Sequence, residues 1–91
     1  MFKYRRIENL NHLYCFYVVM SSRNQTEAAE RLGTTQPVVS ATITRFEKQL
    51  GIKLFEVHGR RHTPTPRAVI MHGYCKDIFH LTSVLEKKLF A

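Results

Sequence analysis

Acidic residues are scarce in this chain of 91 residues: seven Asp and Glu stand against fourteen Lys and Arg. No paired carboxylate cluster is present for general acid–base work. The four glycines are scattered rather than gathered into a phosphate-binding loop, and no serine or cysteine sits in a nucleophile elbow. The reading is therefore not of an enzyme. Only two cysteines occur, Cys15 and Cys75, far apart and without a Cys-x-x-Cys pair, which argues against a zinc framework. Both fall in apolar or amphipathic helical segments, so they are expected as buried free thiols suited to a reducing cytosol. His72, Cys75 and His80 share one region of the last helix but do not offer three or four ligands of defined geometry, so neither metal nor cofactor is expected. Long apolar runs are missing too. None reaches the roughly eighteen residues a membrane-spanning helix needs. The run from Leu13 to Met20, behind Lys3, Arg5 and Arg6, imitates a signal peptide. It lies at the lower limit of h-region length, and no small-x-small cleavage site follows.

What is present is a basic surplus, a formal charge of +7 on a chain with 44% apolar and 23% charged residues. That composition describes one globular domain and favours a polyanionic partner. Residues 24–54, NQTEAAERLGTTQPVVSATITRFEKQLGIKL, carry most of the functional argument. Ala28, Ala29 and Leu32 mark a short helix that a neighbour can approach closely, and Gly33 stands where helices end in the left-handed conformation. Thr35 is a suitable N-cap, with Gln36 and Pro37 in the first turn of a second helix. From there Val39, Ile43, Phe46 and Leu50 recur at steps of four, three and four, a single core-facing stripe. The opposite face carries Pro37, Ala41, Thr44 and Lys48, flanked by Ser40 and Arg45, with Gln36 projecting from the N-terminal end. It is small, polar and basic, with no acid. A helix lying in the roughly 12 Å wide major groove needs that profile.

An αα-hairpin by itself is common in helical proteins, but the sequence that follows adds to the case. Gly51 closes the helix, and Leu54 and Phe55 begin an extended run. His58-Gly59-Arg60-Arg61-His62 then makes a glycine-centred basic turn before Thr63-Pro64-Thr65-Pro66. This predicts a β-hairpin wing whose arginines reach phosphates or the adjacent minor groove. His58 and His62 flank them as phosphate neighbours or as solvated side chains.

The first and last helices bear on assembly. Leu10, Leu13, Phe16, Tyr17 and Met20 make one apolar face of the first helix, yet Tyr14, Cys15, Val18 and Val19 leave little polar surface for the rest. A helix apolar nearly all round is buried on more than one side, so part of it is expected to face another subunit. The last helix, capped by Thr65 and starting at Pro66, is predicted to run to Phe90, about 36 Å. Along it Met71, Tyr74, Ile78, Leu81 and Leu85 recur at three, four, three and four, a seam of the kind one helix offers another. Two arrangements are open: this helix folds back onto its own domain, or it pairs with its twin. Gly73 lies within the seam.

From Leu10 to Ala68 the sequence resembles the winged helix-turn-helix domain of LysR-type bacterial transcriptional regulators. The resemblance rests on Leu13 and Phe16; on Thr26, Ala28, Ala29 and Leu32; on Thr35-Gln36-Pro37-Val38-Val39-Ser40; and on Leu50-Gly51-Ile52-Lys53-Leu54-Phe55 with Gly59, Arg60 and Thr65. The chain departs from the family at Ala41 and Val57, where arginine is usual, and in carrying Thr65-Pro66-Arg67-Ala68-Val69 for Thr-x-Ala-Gly. The resemblance implies a mainly α fold, with a three-helix core and β-hairpin wing over residues 1–65 and a linker or dimerisation helix over 66–91. It further implies a cytoplasmic, nucleoid-associated homodimer that binds double-stranded DNA and regulates transcription. Gln36, Pro37, Ser40 and Thr44 would read bases. Thr26, Thr35, Arg45, Arg60 and Arg61 would hold phosphates or the minor groove, and Lys3, Arg5 and Arg6 would add a tail contact. Tyr14, Val18, Met71, Tyr74, Ile78, Leu81 and Leu85 would form the dimer contact. The large effector-sensing domain of the family does not follow within these residues, so no small-molecule effector site is assigned, and the chain reads either as an excised DNA-binding part or as a free-standing short protein. Two other readings compete: a protein-interaction module that has lost DNA binding, favoured by Ala41 and Val57, and an architectural binder without sequence preference.

Overall fold

A computed structural model describes residues 5–91, so Lys3 of the expected tail contact lies outside the described residues. The chain order is α1 (Leu10–Met20), α2 (Gln25–Leu32), α3 (Gln36–Leu50), β1 (Phe55–His58), β2 (Arg61–Pro64) and α4 (Pro66–Phe90). Each boundary has a local cause. The Asn9 and Asn24 side chains cap α1 and α2 by accepting the Asn11 and Glu27 N–H groups, both at 2.8 Å. Gly33 ends α2 with φ 70° and Gly51 ends α3 with φ 74°. Thr35 occupies the N-cap position of α3 but makes no capping hydrogen bond with its side chain. Its hydroxyl is therefore not spent on the helix, contrary to the expectation from its residue type. Thr65 caps α4, accepting the Ala68 N–H at 3.3 Å while donating to the Lys53 carbonyl at 2.9 Å.

The core forms where three helices and the wing meet. Phe16 of α1 and Phe46 of α3 are wholly buried with ring centroids 6.5 Å apart, and Phe55 of β1 lies 6.1 Å from Phe16. Ala28 and Ala29 are buried on α2 and let it sit close against α1 and α3. The four apolar residues foreseen on α3, Val39, Ile43, Phe46 and Leu50, are the ones buried there.

On α1 the outcome differs from the sequence expectation. Val18 is only 4% exposed and belongs to the chain's own core, so it cannot contribute to a dimer contact. Within the same chain α1 packs against α2, α3 and α4. Tyr17 stacks on Phe79 at 5.4 Å and Tyr14 meets the same ring edge-on at 5.2 Å. With α2 and α3 on one side and α4 on the other, one domain encloses most of α1, leaving Leu10 and Tyr14 as its exposed large apolar residues.

The expected seam on α4 also divides. Ala68 and Cys75 are buried, and Met71, Ile78 and Phe79 are partly buried against the core. Tyr74, Leu81 and Leu85 are exposed. At 100° per residue, the body-facing stripe and the exposed one lie side by side on the helix, with Met71 and Ile78 on the boundary between them. These two residues serve the monomer's core, a correction to their assignment as partner contacts alone.

Candidate nucleic-acid interface

Residues 25–50 set up the candidate interface. The Gly33 cap and the short connection to Gln36 turn α3 against α2, and burial of the Val39, Ile43, Phe46 and Leu50 stripe forces the opposite face outward. That face forms a shallow recess of about 620 Å³ lined by Gln36, Pro37, Ser40, Ala41, Thr44, Arg45 and Lys48. All four residues expected to read bases therefore border one surface. The Thr44 hydroxyl donates to the Ser40 carbonyl at 3.1 Å, one turn back along the helix. Among the described residues no carboxylate lies within ion-pairing distance of Arg45 or Lys48, so their charge is available to an external anion.

The wing adds a second surface. Strands β1 and β2 pair antiparallel with His58 opposite Arg61, leaving Gly59 and Arg60 as a two-residue turn. Gly59 has φ 63°, whereas Arg60 keeps a negative φ, the arrangement a tight hairpin with glycine in its first central position requires. Arg60 and Arg61 are exposed. His58 Nε2 lies 3.7 Å from Glu56 Oε2, with both side chains largely exposed. Between the wing and the N-terminal ends of α2 and α3 lies a groove of about 820 Å³, lined among others by Gln25, Thr26, Gln36, Arg60 and Arg61. Thr26 and the wing arginines, expected as separate contacts, thus share one groove. Gln36 borders both recesses. Thr35 is exposed nearby but lines neither.

Internal bonds fix this surface. The Glu47 carboxylate accepts the Leu54 N–H at 2.7 Å and the Phe55 N–H at 3.3 Å, attaching the wing to α3. Arg31 donates to the Ser21 carbonyl and the Ser22 hydroxyl, holding α2 to the end of α1. Arg6 donates to the Leu50 carbonyl at 2.9 Å. This bond holds the N-terminal segment at the C-terminus of α3, and the exposed guanidinium keeps further N–H donors for the expected tail contact. Sequence reasoning also passed over Gln25, which bonds to an interface residue without being counted among the DNA contacts. Its Oε1 accepts from Gln36 Nε2 at 2.9 Å across the α2–α3 turn. No periodicity or spacing marks such a pair; only the turn that brings the two helix starts together does.

Three helices with the third turned outward, followed by a β-hairpin beside it, define a winged helix-turn-helix protein. The family model of the bacterial regulatory helix-turn-helix proteins, lysR family, matches residues 10–69, and the chain belongs to this family of transcription regulators. It is 53% identical over 55 residues to the transcriptional activator protein LysR of Escherichia coli (strain K12), covering 59% of this chain and 18% of that protein. To the HTH-type transcriptional regulator LeuO of the same organism it is 37% identical over 76 residues, covering 84% of this chain and 24% of LeuO. It therefore spans about a quarter or less of the length of these relatives. Among solved structures it resembles the BenM_DBD/benA site 1 DNA complex, with TM-score 0.79 and 30% identity over 91% of this chain and 99% of that one. The BenM_DBD/catB site 1 DNA complex gives TM-score 0.80 and 29% identity over 87% and 85%.

Proposed function

We propose that this chain binds double-stranded DNA sequence-specifically as a homodimer and serves as the DNA-reading part of a bacterial transcription regulator acting in the cytoplasm. The observation that carries this reading is that Gln36 borders both the acid-free outer face of α3 and the groove beside the wing arginines. The helix face suits the major groove, and Arg60 and Arg61 suit the phosphates or minor groove beside it. In this reading Gln36, Pro37, Ser40 and Thr44 meet bases, while Thr26, Thr35, Arg45, Arg60 and Arg61 meet the backbone. Residues 1–65 hold the DNA, and 66–91 pair with the second copy through Tyr74, Leu81 and Leu85, with Tyr14 at the edge of the same contact. Two recognition helices then address two half-sites. The likeness to the two BenM_DBD complexes with DNA supports the same assignment.

Selection of the preferred duplex from a random pool at about 150 mM salt tests it, because purely phosphate-driven binding is weak there. Enrichment of an inverted repeat is expected. No enrichment would overturn specific reading and leave a module for protein interaction or for non-specific binding.

A further inference from the structure

The bond between the first residues of two helices bears on how the base-facing side chain is aimed. Gln36 stands at the N-terminal end of α3, exposed and bordering both recesses, where a long amide side chain has many rotamers to choose from. It does not stand alone. Gln25, half-buried at the start of α2, accepts one hydrogen of the Gln36 amide nitrogen at 2.9 Å. Gln25 is itself anchored by the helix that Asn24 caps, and α2 is held from behind by the buried Ala28 and Ala29.

A primary amide carries two N–H donors and an oxygen with two lone pairs. With one donor taken by Gln25, Gln36 retains one N–H and its oxygen. That adjacent donor and acceptor are the pair that matches the N7 acceptor and N6 amino donor on the major-groove edge of adenine. We propose that Gln25 is a positioning residue for base readout, fixing the Gln36 amide so that it selects an adenine at one position of each half-site. This rests on the reading of α3 as a DNA-recognition helix. Gln25 makes no base contact in this scheme. It acts by removing rotamer freedom and by settling which way round the Gln36 amide faces, so its effect falls on base preference more than on affinity for DNA at large.

The test uses the duplex selected by the full chain, with each half-site position varied in turn through all four bases. The wild type is expected to prefer adenine at one position by about tenfold, and Gln36→Ala to abolish that preference. Gln25→Met keeps the side-chain length but lacks the acceptor, and Gln25→Ala removes it. Both are expected to reduce the adenine preference to within about threefold, with the other positions, the affinity for random DNA and the thermal midpoint unchanged. Gln25→Glu keeps an acceptor oxygen and is expected to restore the preference while weakening binding to every sequence, through its charge beside the phosphates. Retention of the full preference in both Gln25→Met and Gln25→Ala would overturn the proposal. So would an equal loss on all sequences, or a Gln36-dependent preference for another base. A wild type with no base preference at any position would overturn instead the underlying reading of α3.

Discussion

Glu47 and Leu54 are joined by a 2.7 Å bond from the Leu54 backbone N–H to the Glu47 carboxylate, which links the last turn of α3 to the start of the wing. The same oxygen accepts the Phe55 N–H, and Lys53 Nζ lies 3.9 Å from the other oxygen. The Glu47 side chain is 11% exposed, so the wing's orientation relative to the recognition helix rests on a largely buried charge-assisted contact.

Glu47→Ala is expected to cost about 2 kcal/mol of unfolding free energy, since it leaves buried N–H groups without their charged acceptor. Urea denaturation measures this. Glu47→Gln, which keeps an oxygen but no charge, should lose less than Glu47→Ala. An unchanged midpoint in Glu47→Ala would show that the wing is held by apolar packing of Leu54 and Phe55 alone.

The helix face and the wing should separate in their response to salt. Arg60→Ala is expected to weaken binding to all sequences and to lower the salt slope by about one, because one phosphate contact is lost. Gln36→Ala is expected to cost about 1 to 3 kcal/mol, mainly on the preferred site. Titrations of specific and random duplexes at several salt concentrations distinguish the two. Equal loss on both duplexes for Gln36→Ala would remove it from the base-reading set.

The elements were legible in the sequence because their signals are local. Gly33 and Gly51 end helices where a left-handed residue is needed, Thr65-Pro66 begins one, and the α3 stripe has a single period. The division of labour on α4 was not legible, because two apolar stripes lie side by side and a helical pattern does not say which neighbour covers which. The burial of Val18 was not legible for the same reason: on a helix apolar nearly all round, the pattern does not say which face its own domain covers. Arg6 and Gln25 depend on partners 44 and 11 residues away, and a basic or amide side chain near an interface carries no mark of being already engaged.

That division gives a prediction for assembly. Leu81 is 65% exposed on α4, so Leu81→Glu is expected to leave the fold intact while weakening the dimer, observed as a shift toward monomer mass in light scattering at micromolar concentration. Met71→Ala, which opens a gap at the core's edge, should instead lower the thermal midpoint. A monomeric wild type under these conditions would remove the argument for two half-sites while leaving DNA binding to be judged by itself.

The two thiols give a dependence on pH. Burial raises the pKa of Cys75 from the ordinary 9.0 to about 11, and raises that of Cys15 in the same direction. Below about pH 8 both thiols are protonated in folded and unfolded chains alike, so they add no pH dependence. As pH rises through 9 the unfolded chain ionises Cys75 first, while the folded chain keeps its proton until about 11. The unfolded state is favoured over that window, and stability falls. Cys75 is fully buried, so alkylation should proceed only as fast as the chain opens, and denaturant should accelerate it sharply. Cys75→Ala is expected to be somewhat less stable at pH 7 but to lose less on going from pH 8 to pH 10 than the wild type. Denaturation at both pH values measures the difference, and an equal loss in the two proteins would show that other groups set the alkaline limit.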